Sequence, residues 1–328
     1  MFRRNEIKTA YAAKFTLNKG KFSSPHSREH CSVNADQIRM MGLNTHQQVR
    51  IERPTESGTT LALYTIERTH NEQANDVFLD YVDPGDVEPR FRVPTLEPFQ
   101  GKINPQVAAV GLNDAEAEDY SEFIEHLADN DYNSKLVVIA PHGGNIEQHT
   151  DEQAEEVAKQ LPSNCVSVWM CKGFKKGGGA FARWHITSTD ISEESFPKLK
   201  SVYGRGFGYA VAFHGFGGND DKPSICIGGR TVDATLKQKI KEEIEGKVRR
   251  FGVRVFMDNG CPEDINGDKE KNIVNRLSKN GLQIEQSEKF RTTMVDEENR
   301  PLRLKVADAV ARVIGPRITQ YETDSVDR

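Results

Sequence analysis

Lys135-Leu136-Val137-Val138-Ile139-Ala140-Pro141-His142-Gly143-Gly144-Asn145-Ile146-Glu147 is the stretch on which the fold turns. Its apolar half, 135–140, reads as a buried strand. That strand runs without a break into a glycine loop, so His142 emerges at its C-terminal end, where open α/β sheets form their ligand crevices. Two glycines let the backbone turn sharply and pass close to a ligand, and they bring Glu147 back toward His142. Imidazole and carboxylate can then share one cation.

The same grammar of strand, histidine and glycine loop returns later. The apolar run Tyr209-Ala210-Val211-Ala212-Phe213 delivers His214, followed by Gly215, Phe216, Gly217 and Gly218. Two ligands close together and a third from a distant strand are a usual layout for catalytic zinc, in which two histidines and one glutamate leave a position open for water. His142, Glu147 and His214 are therefore the candidate metal ligands. Either histidine alone reads more simply as a hydrogen-bonding loop residue; the joint pattern with a nearby glutamate carries the metal reading.

Outward from these runs, strands and helices alternate. Strand candidates are 135–140, 166–169, 209–213, 224–227, 253–256 and 282–285; helical periodicity marks 151–161, 232–250, 270–279 and 301–314. The alternation predicts an α/β fold, a mixed or largely parallel central sheet flanked by helices, with no internal repeat. Residues 10–85 read instead as short strands and turns, Val49 to Arg53 and Leu61 to Ile66 among them, with one short helix between Asn34 and Gly42 whose Asn34 and Gln37 have the spacing of a capping box. This predicts a small, mostly β barrel-like domain whose layout resembles double-psi or swapped-hairpin barrels. Asp83-Pro84-Gly85 and the prolines at 89, 94, 98 and 105 suit an extended connection. The expected domains are 1–100, accessory, and 101–328, carrying every candidate site residue. A chain beginning near Gln106 is expected to fold alone.

The bulk numbers narrow the function. A chain of 328 residues with 36% hydrophobic and 28% charged residues can build a large core. It has no apolar run of the roughly 20 residues that span a bilayer. Its first residues carry scattered charges and no apolar stretch of a secretory signal, so a cytoplasmic location is expected. A formal net charge of -5 gives no general attraction to nucleic acid or to an anionic membrane, and neither is expected as a partner. The five cysteines form no CxxC pair and are expected as buried free thiols. Two glycine-rich runs fail as nucleotide motifs: 173–180 (GFKKGGGA) lacks the Gly-Lys-Ser/Thr ending of a phosphate loop and reads as a flap, and 204–208 (GRGFG) misses the dinucleotide spacing.

Five motifs in order carry a family resemblance. They are His142-Gly143-Gly144-Asn145-Ile146-Glu147, His185-Ile186-Thr187-Ser188-Thr189, Phe213-His214-Gly215, Ile227-Gly228-Gly229 and Gly281-Leu282-Gln283-Ile284-Glu285. Across residues 130–295 the chain resembles the phage and bacterial poly-γ-glutamate hydrolases, amidohydrolases whose domain looks like a zinc carboxypeptidase. The resemblance implies Zn2+ as cofactor and a polyanionic glutamate polymer or peptide as substrate. A phage-encoded member would be released by lysis. It also implies a general base near the end of a late strand, a place that Glu285 matches, with Glu288 as rival. Guanidinium groups suit carboxylates, and of Arg183, Arg205, Arg230 and Arg291 the two beside motifs, Arg183 and Arg230, are taken with His185 as substrate contacts. Two other readings stay open: a zinc amidohydrolase or carboxypeptidase acting on N-acyl amino acids or peptides, and a phage-associated binding protein without catalysis.

Overall fold

The computed structural model describes residues 9–18, 27–56, 58–71, 75–80, 98–217 and 222–319. The chain divides into two compact units, one of Met1–Ile124 with Gly173–Pro197, the other of Glu125–Lys172 with Lys198–Arg328. Where a single cut near residue 100 was expected, the polypeptide thus passes between units more than once. The proline-rich connection expected from residue 83 onward lies, up to residue 97, outside the described residues.

In the first unit, six strands close a barrel in the order β1-β5-β2-β4-β3-β6. They are β1 (Tyr11–Asn18), β2 (His30–Asn34), β3 (Gln48–Thr55), β4 (Gly58–His70), β5 (Asp76–Asp80) and β6 (Phe99–Asn104). Closure uses both pairings: β1 runs parallel to β5 and β2 to β4, while β3 is antiparallel to β4 and β6. Period-two alternation puts Phe15, Val33, Val49, Ile51, Ile66, Val77 and Ile103 into one apolar core. Helix α1 (Ala35–Met41) begins where expected, with Asn34 accepting from the Asp36 and Gln37 amides, and it stops at Gly42 in the left-handed region, φ 65°. The capping box is only half made, because the Gln37 side chain donates instead to the Ala12 carbonyl. Helices α2 (Asp114–Tyr120) and α4 (Ala180–Trp184) belong to this unit as well.

The second unit is built on a seven-stranded sheet ordered β12-β11-β13-β10-β8-β9-β7. Its strands are β7 (Phe123–Ala128), β8 (Leu136–Gly144), β9 (Val166–Gly173), β10 (Tyr209–Phe216), β11 (Ser224–Gly228), β12 (Arg254–Met257) and β13 (Gly281–Ser287). β10 is parallel to β8 and β13, β11 is parallel to β12, and β11 against β13 is antiparallel. This is the expected mixed, mostly parallel sheet. Strands β8 and β9 are buried almost throughout, which is why they read as continuous apolar runs rather than alternating ones. Helices α3 (Thr150–Lys159), α6 (Ala234–Val248) and α9 (Leu302–Thr319) lay apolar residues on the sheet. Three shorter helices are α5 (Pro197–Val202), α7 (Ile273–Leu277) and α8 (Glu288–Thr293).

Several features escaped the sequence reading, among them β6, a barrel strand that stands where an extended connection was expected. Strand β7 was not expected, because its centre is Glu125, a buried carboxylate that accepts from the Trp169 indole and the Leu199 amide. Cys226 and Cys261 form a disulfide, which corrects the expectation of five buried thiols outside any disulfide; Cys31, Cys165 and Cys171 are buried and not disulfide-bonded.

Candidate metal and catalytic centre

His142 and His214 sit near the C-terminal ends of β8 and β10, neighbouring parallel strands whose register pairs Ile139 with Ala212. Both histidines therefore emerge side by side at one edge of the sheet. The loop after β8 closes tightly, with the Glu147 amide donating to the His142 carbonyl at 2.8 Å. That closure needs glycine. A Cβ on Gly143 would come within 2.8 Å of the Asp151 Cβ, and Gly144 adopts φ 65°.

The result is one point of convergence. His142 Nδ1 lies 3.0 Å from Glu147 Oε1 and 3.2 Å from His214 Nδ1, and His214 Nδ1 lies 3.3 Å from Glu147 Oε2. All three residues are buried. The Gly215 amide donates to Glu147 Oε2 at 2.8 Å, fixing the carboxylate from the β10 side. Burial alone would raise the Glu147 pKa, yet the charge and hydrogen bonding of His142, then of His214, hold its carboxyl well below the ordinary value.

Glu285 lies beside this group, because β13 is parallel to β10 with His214 opposite Glu285 in register. It is buried, whereas Glu288 at the start of α8 is exposed. Burial pushes the Glu285 carboxyl well up, and the neighbouring Glu147 charge pushes it further, against the pull of Arg291. β13 is anchored one residue on, where Gln286 and Gln153 of α3 exchange two amide hydrogen bonds at 2.9 and 2.8 Å in the interior.

Arg291 is a buried cation beside Glu147 and Glu285. Its Nε donates to the Gln286 carbonyl and its Nη1 to the Gln148 carbonyl. The guanidinium lies flat against Gly215, where a Cβ would come within 2.2 Å of it. The glycine after His214 was the available signal: it makes room for a cation as well as for a turn. Arg205 is accounted for by two hydrogen bonds to Asp129, at 2.8 and 2.7 Å.

The other candidates each have partners of their own. Arg230 is exposed, near the Asp268 carbonyl and Glu270. Arg183 and His185 belong to the first unit. There Arg183 donates to the Leu61 carbonyl, and His185 Nδ1 lies 2.7 Å from Glu29 Oε1. Glu29 also takes the Thr187 amide at 2.9 Å, which explains the Thr/Ser-rich run as a loop fixed around a histidine.

A mixed α/β sheet with two histidines and two glutamates gathered at adjacent strand ends defines a class of proteins with a buried centre of metal-ligand type. Within that class the chain belongs to the poly-gamma-glutamate hydrolase family, whose family model matches residues 109–312. It is 31% identical over 191 residues to UPF0714 protein YndL of Bacillus subtilis (strain 168), a match covering 54% of this chain and 68% of YndL. Among solved structures it is similar to a bacteriophage poly-gamma-glutamate hydrolase, at 19% identity and TM-score 0.43, over 65% of this chain and 97% of the other. It is similar also to zinc-free YndL, at 24% identity and TM-score 0.44, over 61% of this chain and 94% of that one. The family match begins after the barrel strands.

Proposed function

We propose that this protein is a zinc-dependent hydrolase of amide bonds in glutamate-containing polymers, the γ-glutamyl bonds of poly-γ-glutamate foremost, with His142, Glu147 and His214 as metal ligands and Glu285 as general base. The observation that carries the reading is the convergence of two imidazole nitrogens and a carboxylate at separations of 3.0, 3.2 and 3.3 Å. Ligands about 2.0–2.2 Å from a tetrahedral ion stand roughly 3.3–3.6 Å apart, so the donor set fits zinc with little adjustment. Family membership supports the same substrate class.

Zinc, when bound, supplies Lewis acidity to the scissile carbonyl and acidifies a water. The protein's own groups do the rest. Glu285 accepts the proton of the attacking water and returns it to the leaving nitrogen. Its burial keeps bulk water from taking that proton between the two transfers. Arg291 balances the negative charge gathered by Glu147 and Glu285. Arg183, Arg230 and His185 are proposed contacts for substrate carboxylates, and substitution at each should raise KM and leave kcat in place.

The test is digestion of poly-γ-glutamate by wild type and by Glu285→Gln, with zinc measured in both. Turnover should fall about 10²- to 10⁴-fold in the variant with zinc retained. Wild-type turnover in Glu285→Gln, with the loss found in Glu288→Gln instead, would reassign the base. Loss of zinc would make Glu285 a ligand.

A further inference from the structure

A second glutamine on β13 is built into the same centre. Gln283 stands two residues before Glu285, hence on the same face of the strand, and it is buried. Its Nε2 donates to Glu285 Oε1 at 2.9 Å and lies 3.3 Å from the Ile265 carbonyl, while its Oε1 accepts from Asn272 Nδ2 at 2.7 Å. Every polar atom of the amide is thus engaged, and its orientation is settled twice over. Turning the amide would set its oxygen against both a carboxylate and a carbonyl, and its NH2 against an NH2.

The surroundings are shaped to hold this amide. Opposite Gln283 on β11 stands Gly228, and a Cβ there would come within 1.7 Å of the Asn266 carbonyl oxygen. Gly267, at φ 68°, packs on the Gln283 stem, and a Cβ on it would lie 2.8 Å from the Gln283 Cβ. The loop that supplies Ile265 and Asn272 begins at Cys261, bonded to Cys226 of β11, and Cys226 is the register partner of Glu285. This gives the Ile227-Gly228-Gly229 motif a local purpose: it lets that loop close over Gln283.

We infer that Gln283 is a positioning residue for Glu285: its amide, locked by Asn272 and the Ile265 carbonyl, holds the Glu285 carboxylate in the orientation used for proton transfer. The inference rests on the reading of Glu285 as general base. A base displaced by even an ångström loses much of its rate, so the lock acts on kcat rather than on substrate binding.

The test is a double-mutant cycle on intact protein, with kcat, KM, zinc content and melting temperature measured for each variant. Gln283→Met keeps the stem and removes the donor. It should lower kcat about 10- to 100-fold with KM and zinc unchanged. Combined with Glu285→Gln it should lower kcat by less than about 2-fold more, since its partner is already disabled. Asn272→Asp keeps the oxygen that caps α7 but removes the donor to Gln283 Oε1, and it should lower kcat in the same way should Gln283→Met not fold. Wild-type kcat in both variants, or an undiminished loss in the Glu285→Gln background, overturns the inference. Full activity of Glu285→Gln by itself would overturn instead the assignment of the base, so the two failures are distinguishable.

Discussion

Each unit buries a histidine cluster against carboxylates, and the two clusters are wired differently. In the first unit His30 spends its two ring nitrogens on two separate partners, Nδ1 on Glu67 at 2.9 Å and Nε2 on Asp190 at 2.8 Å. In the second, His142 and His214 turn the same ring atom, Nδ1, toward one carboxylate and toward each other. The first arrangement suits a protonated imidazole, a strut tying barrel strands to the segment that bears Asp190. The second places several lone-pair donors at one point and is relieved by a cation. Burial lowers the His30 pKa, but hydrogen bonding and charge from Asp190, then from Glu67, outweigh it and raise the value. The ring nitrogens of His30 diverge to two partners, whereas those of His142 and His214 converge on one carboxylate.

The sharpest way to break this comparison is to remove one histidine from each cluster. His214→Ala should lose bound zinc and fall to background hydrolysis, with its circular dichroism unchanged. His30→Gln should keep zinc and lose stability. Removing one partner of a buried ion pair costs about 3–5 kcal/mol, and because Glu67 and Asp190 are 18% and 24% exposed the lower end, about 3 kcal/mol, is expected in denaturant unfolding. A His30 variant that loses zinc instead would contradict the division of roles.

The strut also predicts a pH dependence. A histidine whose folded pKa is raised adds stability that is fully present below its unfolded pKa and is lost as pH rises through the folded pKa. The melting temperature should fall across that window in the wild type, and His30→Gln should flatten the slope. An unchanged slope would mean that His30 is not the group titrating.

Cutting the chain at Gln106 tests the first unit as a whole. Its own bonds, His185 and Thr187 to Glu29, Asp190 to His30, and Ser192 and Ser195 to Gln48, tie the segment Gly173–Pro197 to residues that such a cut removes. These bonds argue against the sequence-based expectation that this chain folds alone. Limited proteolysis should nick it within 173–197, and a protected segment with a cooperative melt would restore that expectation. Smaller effects follow in the second unit. Replacing both Cys226 and Cys261 by serine opens a 35-residue separation and should cost about 2–4 kcal/mol. Gly215→Ala, which drives a methyl into the Arg291 guanidinium, should cost about 1–3 kcal/mol. A neutral outcome for Gly215→Ala would mean that the guanidinium moves freely.

What the sequence disclosed was local. Strand 135–140, its histidine and its two glycines are contiguous, and the same is true of 209–215, so both loops and the partnership of His142 with Glu147 were legible. The approach of His214 to them is implied only by the repeated strand-histidine-glycine pattern and zinc ligand chemistry, since it depends on a parallel pairing of β8 with β10 that no short-range pattern encodes. The barrel was legible as alternating strands, but not its closure through parallel β1 with β5 and β2 with β4. Polar residues doing buried work were the hardest to see. Glu125 hid a strand, Gln283 and Gln286 read as ordinary strand residues, and Arg291 looked like any surface arginine, because their partners lie far away in sequence. The disulfide was invisible for the same reason, with its cysteines 35 residues apart and no pairing motif around them.

Bound metal is the most direct measure of the proposed centre. Elemental analysis of the purified protein, run beside digestion of poly-γ-glutamate, should find about one zinc per chain and a polymer that shortens with time, with both lost together in His214→Ala. Zinc at the wild-type level in His214→Ala, or hydrolysis that continues after the metal has been stripped by a chelator, would contradict it.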